Sequence, residues 1–203
     1  MLIDAGNNDD NETIINYIKN LSYDTINIDN LNVEILAPVN DTYDELNNYS
    51  AVVKVTYGNN SFLFMGDAET LSENEITADL EADMLKVGHH GSDTSTSKEF
   101  LSKVKPTYAV ISVGKDNSYG HPSNDVLALL DEFDVNVFRT DKQGTIVAQS
   151  DGNMILINKE PSPYETNAPS SMKPETPTVV TTIPKVVETA PVVAEGVPTK
   201  YNK

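Results

Sequence analysis

Two apolar runs of this chain end in the same way. Phe62-Leu63-Phe64-Met65 leads into Gly66-Asp67, and about twenty residues on, Lys86-Val87 leads into Gly88-His89-His90-Gly91-Ser92. An apolar strand fixes the backbone, a glycine lets it turn sharply, and a metal-binding residue type stands at the exit. A third run repeats the design: Tyr108-Ala109-Val110-Ile111-Ser112-Val113-Gly114, followed by a polar loop that closes on Gly120-His121-Pro122-Ser123. All three histidines thus lie in two Gly-His loops. If these exits belong to one sheet, Asp67 and His89 or His90 come together around a hard or borderline divalent cation.

The flanking pattern supports a sheet with helices. Leu2-Ile3 reads as a strand end, and Ile14, Ile15, Ile18 and Leu21 give a helical apolar face. Val33 to Leu36 is a short strand closed by Pro38; Ala51–Tyr57 and Ser61–Met65 form a hairpin around Gly58-Asn59-Asn60. Ser72 to Glu75 is a capping-box pattern that opens a helix toward Leu80, and Thr96 to Glu99 opens another through Val104. Ser123 caps a helix containing Val126, Leu127, Leu129 and Leu130. Short strands over Val135–Phe138, Thr145–Ala148 and Met154–Ile157 end the pattern. Alternating elements in the middle with hairpins at both ends predict an α/β fold of α+β character, a mixed sheet covered by helices.

Composition divides the 203 residues near Glu160. Residues 1–160 carry 27 acidic and 10 basic side chains, and so the entire formal charge of −17; residues 161–203 carry four of each. The second part holds eight of the eleven prolines among Thr, Val and Ala, which predicts a disordered linker or stalk. The domain expectation is therefore a folded body over 1–160 and a Pro/Thr/Val-rich tail over 161–203. The stalk-like tail suggests a secreted or cell-surface protein. No run approaches the ~20 apolar residues of a membrane span, and without cysteine there is neither a disulfide nor a thiolate metal site. So acidic a body offers no basic patch for nucleic acid. A phosphate substrate has to be met by metal instead of lysines.

The Asp67 loop, the Gly88-His89-His90-Gly91-Ser92 loop and the Gly120-His121-Pro122-Ser123 loop together resemble the metallo-β-lactamase superfamily. The resemblance is closest to its ComEC-like branch, typified by the C-terminal domain of the late-competence DNA-uptake protein. It covers residues 33 to about 158, and Leu2-Ile3-Asp4-Ala5-Gly6 resembles the family's first segment. The resemblance implies an αββα sandwich with a one- or two-metal hydrolytic site between its sheets, taking zinc or manganese, and a phosphodiester or nucleic-acid substrate. One feature of the family is missing: a His-x-His-x-Asp-His loop after the first helix, since no histidine precedes position 89. The sequence thus reads as a partial sandwich with at most one weak metal site. An impaired hydrolase and a non-catalytic remnant on a stalk are both compatible with that reading. Missing strands also predict exposed edges and self-association.

Each candidate has an ordinary reading beside the one the resemblance implies. Asp67 is either a helix cap or a carboxylate bridging metals. His89 and His90 are adjacent, so an extended backbone would point them apart; the expectation is His89 as ligand and His90 toward the substrate. Gly91 and Ser92 offer N–H groups and a hydroxyl to an anion at a helix start, or form a plain turn. His121, framed by Gly120 and Pro122, is a general acid, a substrate contact or a structural loop residue. Asp4 positions the missing loop in the family. Asn47, Asn48 and Ser50 fall where other branches place a histidine, and are expected to cap the next strand.

Overall fold

The computed structural model describes residues 25–28, as backbone, and residues 30–164. The expected first strand, the helix around Ile14–Leu21 and most of the tail lie outside the described residues. Among the described residues are nine strands, β1 (Thr25–Ile28), β2 (Leu31–Ala37), β3 (Val52–Tyr57), β4 (Asn60–Phe64), β5 (Met84–Lys86), β6 (Tyr108–Ile111), β7 (Asn136–Arg139), β8 (Ala148–Ser150) and β9 (Ile155–Ile157), with the α-helices α1 (Thr70–Glu75), α2 (Lys98–Val104), α3 (Asn124–Glu132) and α4 (Thr140–Gln143) between strands from β4 to β8. The first seven strands form one sheet in chain order; β8 and β9 pair separately. This is a mixed α/β architecture, antiparallel from β1 to β4 and parallel from β4 to β7.

Parallel neighbours require crossovers, and right-handed crossovers that advance in one direction put their helices on one face of the sheet. The register gives that face its core. Leu63, Leu85, Ala109 and Val137 form one cross-strand row, each at most 1% exposed. Behind them pack Phe100, Leu101 and Val104 of α2 and Val126, Leu127 and Leu130 of α3. Burying each of these large side chains stabilises the fold by about 1.5–3 kcal/mol. The neighbouring row, Phe64, Lys86, Val110 and Phe138, points to the other face, where Phe64 is left 42% exposed.

Several local expectations are corrected. Thr25–Ile28, lying between the expected helix and the strand expected at Val33, form a strand that pairs with β2. Ser72 does not cap α1: it lies inside a helix that begins at Thr70 and stops at Glu75, and its hydroxyl donates to the Asn48 carbonyl. Ser97, not Thr96, caps α2, accepting from the Phe100 N–H. The strand expected over Thr145–Ala148 starts at Ala148 instead. The β3–β4 hairpin and the Ser123 cap of α3 agree with the sequence reading. A Cβ on Gly58 would lie 2.5 Å from the Gly152 carbonyl oxygen, so this turn residue lets the β8–β9 hairpin approach the larger sheet. Past Glu160, the Ser162 N–H donates to the Val137 carbonyl (2.7 Å) and the Tyr164 hydroxyl to the Val135 carbonyl. No described helix is long and apolar enough to cross a membrane.

Candidate metal centre

Because β4, β5 and β6 are parallel, their carboxyl ends lie at one edge, where ligand sites of open α/β sheets form. The Asp67, His89-His90 and His121 loops leave from those ends and are stitched to one another. The His89 N–H donates to the Gly66 carbonyl (3.0 Å), and the Ser123 N–H to the Gly91 carbonyl (2.8 Å). Gly91 sits at φ +83°, where a Cβ would stand 2.6 Å from the Pro122 Cβ. Only glycine allows that approach between the second and third loops.

The structure brings Asp67, His89, His90 and His121 to this rim. His89 and His90 are not extended: both are left-handed, with φ of 44° and 55°, and their rings stand 6.4 Å apart at 61°. The imidazole facing Asp67 is that of His90, with Nε2 3.4 Å from Oδ1. His89 faces Glu69 instead, Nδ1 to Oε1 3.5 Å.

Hydrogen bonding assigns the tautomers. His90 Nδ1 lies 2.6 Å from the Ser112 carbonyl oxygen, which can only accept, so Nδ1 carries the proton. In neutral His90 the Nε2 lone pair is therefore aimed at an acidic oxygen. Two acceptors held this way repel unless a proton or a cation sits between them. A backbone carbonyl on the far nitrogen is also how proteins orient a ligating histidine. Two ligands at ~2.1 Å on a tetrahedral ion stand about 3.4 Å apart, as these two atoms do. His89 is differently engaged: Nδ1 meets the Thr94 hydroxyl (3.2 Å) and Nε2 the Asn47 amide (3.5 Å).

His121 completes the row of rings, 5.7 Å from His89 and stacked on Tyr119 at 5.9 Å. Burial, then the neighbouring imidazoles, push its pKa below the usual histidine value, with Asp93 opposing. Asn117 ties the loop at both ends of its amide, accepting from the His121 N–H (3.0 Å) and donating to its carbonyl (2.7 Å).

Around Gly91 and Ser92 the bonding is that of a turn, one of the two readings of these residues. No helix starts at Ser92 and its side chain is buried. Its N–H is used by the His89 carbonyl, 2.8 Å away, and its hydroxyl meets that of Thr94. Nor do the Asn47–Ser50 residues simply cap β3. The Asn47 and Asn48 amides hold the two oxygens of Glu69, and the Ser50 hydroxyl accepts the Asp67 N–H.

Glu69 was missed in the sequence, although it stands two residues after Asp67 and is the second acidic group at the rim. Lys86 was missed too. Burial lowers its pKa while Asp67 opposes the shift, and its ammonium donates to the Val87 carbonyl (2.8 Å).

The resemblance to the metallo-β-lactamase superfamily implies a divalent metal, against which the donor set of the rim can be weighed. Asp67 and His90 supply two ligands of suitable orientation, where zinc takes three or four. Among the described residues no group of three or more His, Cys, Asp or Glu side chains is disposed to hold an ion. The described residues thus do not make a closed metal site.

Residues 41–115, which carry Asp67, Glu69, His89 and His90, match the metallo-beta-lactamase superfamily. The chain is 37% identical over 147 residues to ComE operon protein 3 of Bacillus subtilis (strain 168), spanning 71% of this chain and 19% of that protein. It is 39% identical over 117 residues to Recombination protein 2 of Haemophilus influenzae, spanning 57% of this chain and 15% of that protein. To Competence protein ComA of Neisseria gonorrhoeae it is 34% identical over 122 residues, spanning 58% of this chain and 18% of the relative. The chain spans less than a fifth of the length of these relatives. With the parallel sheet, the loop order at its carboxyl edge and these matches in agreement, the chain belongs to the metallo-β-lactamase superfamily, on its ComEC-like branch.

Proposed function

We propose that this domain is a metal-dependent phosphodiester hydrolase module acting on nucleic acid, and that the 203-residue chain by itself binds metal weakly and turns over slowly. The observation that carries the reading is the Asp67–His90 pair, oriented by the Ser112 carbonyl and spaced as two ligands of one ion. Asp67 and His90 would hold zinc or manganese. His89, fixed by Thr94, Asn47 and Glu69, would brace the pair, and His121 would face the substrate. Two of the relatives are named for recombination and competence, which favours nucleic acid over other phosphodiesters. Bound divalent ion would also offset the formal charge of −17 toward a polyanion.

A second reading, a non-catalytic module joined to a Pro-rich stalk at 161–203, is favoured by the incomplete ligand set among the described residues. Hydrolysis of bis-p-nitrophenyl phosphate by purified chain, with manganese or zinc, separates the two. Metal-dependent turnover that disappears in Asp67→Ala supports the hydrolase. Turnover that is absent leaves the non-catalytic module, and turnover unchanged in Asp67→Ala overturns the assignment of hydrolysis to this pair.

A further inference from the structure

We propose that Tyr119 is a stacking platform for an unpaired nucleobase of the substrate, so that the rim engages nucleic acid as a single strand. The inference rests on the nucleic-acid reading above and adds where the strand lies. Tyr119 is 82% exposed, the most solvent-open large apolar side chain of the described residues, the next being Met154 at 60%. Single exposed hydrophobes are ordinary; this one is placed at the site. Its ring lies 14° from parallel to His121, with centroids 5.9 Å apart. His121 in turn stands 5.7 Å from His89, so the tyrosine ends a row of rings that begins beside Asp67. His121 lies nearly parallel to the phenol ring without covering it. The ring's high exposure leaves a face to solvent.

The loop presents that face ready-made. The two bonds between the Asn117 side chain and the His121 backbone close the segment around Tyr119. Gly120, at φ +76°, opens onto free space: apart from its chain neighbours, no heavy atom lies within 4 Å of where a Cβ would stand. A held aromatic loses little entropy on binding, and bases stack on such rings irrespective of sequence. In a duplex the base faces are covered by their neighbours, so the partner of this surface is an unpaired base. The same geometry separates duties along the rim: phosphate at the Asp67–His90 end, base at the Tyr119 end.

The test is fluorescence anisotropy with the full chain and manganese, comparing labelled single-stranded oligothymidylate with an abasic strand of equal length. Both probes carry the same phosphates, so the ratio of their dissociation constants isolates base contacts. Wild type is expected to prefer the base-bearing strand by roughly tenfold to a hundredfold, the usual range for one stacked base. Tyr119→Ala should bring the ratio close to one, whereas Tyr119→Phe and Tyr119→Trp should keep it. A merely structural role for Tyr119 would weaken both probes alike and leave the ratio unchanged. An unchanged ratio in Tyr119→Ala, beside Asp67-dependent hydrolysis by wild type, overturns the stacking role alone. Failure of wild type to bind either strand or to hydrolyse phosphodiester overturns the nucleic-acid reading, and the stacking role with it.

Discussion

Replacing Glu73 tests how the rim is held from beneath. This carboxylate is 1% exposed on α1. It accepts the Thr96 N–H and, at 3.0 Å, the Ser97 N–H, and so ties α1 to the loop between His90 and α2. The loop needs a tie, because Thr96 is fully buried and left-handed at φ 59°. Glu73→Ala leaves two N–H donors without their acceptor and opens space beside them. Two bonds to a charged acceptor, less the cost of keeping that charge buried, amount to about 2 kcal/mol at neutral pH. With an m-value near 2 kcal/mol/M, the urea midpoint falls by roughly 1 M.

The pH dependence has a definite sign. Burial raises the Glu73 pKa above its ordinary 4.5, outweighing the opposing bonds to Ser97 and Thr96. Between the unfolded and folded pKa values the native state holds more protons, so stability falls as pH rises through that window. The net contribution of Glu73 is therefore largest below the window and smaller at neutral pH, and Glu73→Ala costs more in acid than at neutrality. Urea titrations of both proteins at about pH 4.5 and at neutral pH measure it. A midpoint unmoved by the substitution, or a cost that grows as pH rises, would refute the argument.

Other substitutions probe separate parts of the account. Leu85→Ala, at the centre of the buried cross-strand row, should cost about 2–5 kcal/mol in thermal or chemical unfolding. Gly91→Ala forces a Cβ to within 2.6 Å of Pro122 in a left-handed residue; it should destabilise the protein by more than 1 kcal/mol and shift the His121 imidazole resonances in NMR spectra. Self-association through the part of the sheet face around the 42% exposed Phe64 should diminish in Phe64→Lys on sizing chromatography. A wild-type protein that is monomeric at all concentrations would contradict that expectation.

The parts of the fold readable in the sequence are those fixed by local chemistry. Gly58-Asn59 with flanking apolar runs made the hairpin legible, and Ser123 before Val126 made α3 legible, because both signals act within a few residues. The Ser72 cap failed for a tertiary reason: its hydroxyl is bound to the Asn48 backbone, 24 residues away. Strand exits carrying Asp67, His89, His90 and His121 could be read as motifs, but the partner of each side chain could not. Two consecutive left-handed histidines are outside what residue preference suggests, and they turn His90 rather than His89 toward Asp67. Glu69 was overlooked because its neighbours Asn47, Asn48 and Thr94 come from distant segments, and its sequence context reads simply as the start of a helix.

Asp67 and His90 are proposed as one half of a divalent-metal site, and metal binding by this pair is the decisive measurement. Equilibrium dialysis of the full chain against manganese and against zinc, followed by metal analysis, would be repeated with Asp67→Ala, His90→Ala and the double variant. Wild type should bind weakly, and binding should be lost to a similar degree in both single variants and no further in the double, because the two side chains serve one ion. Binding that survives both single substitutions, or that depends on neither, would contradict the proposal.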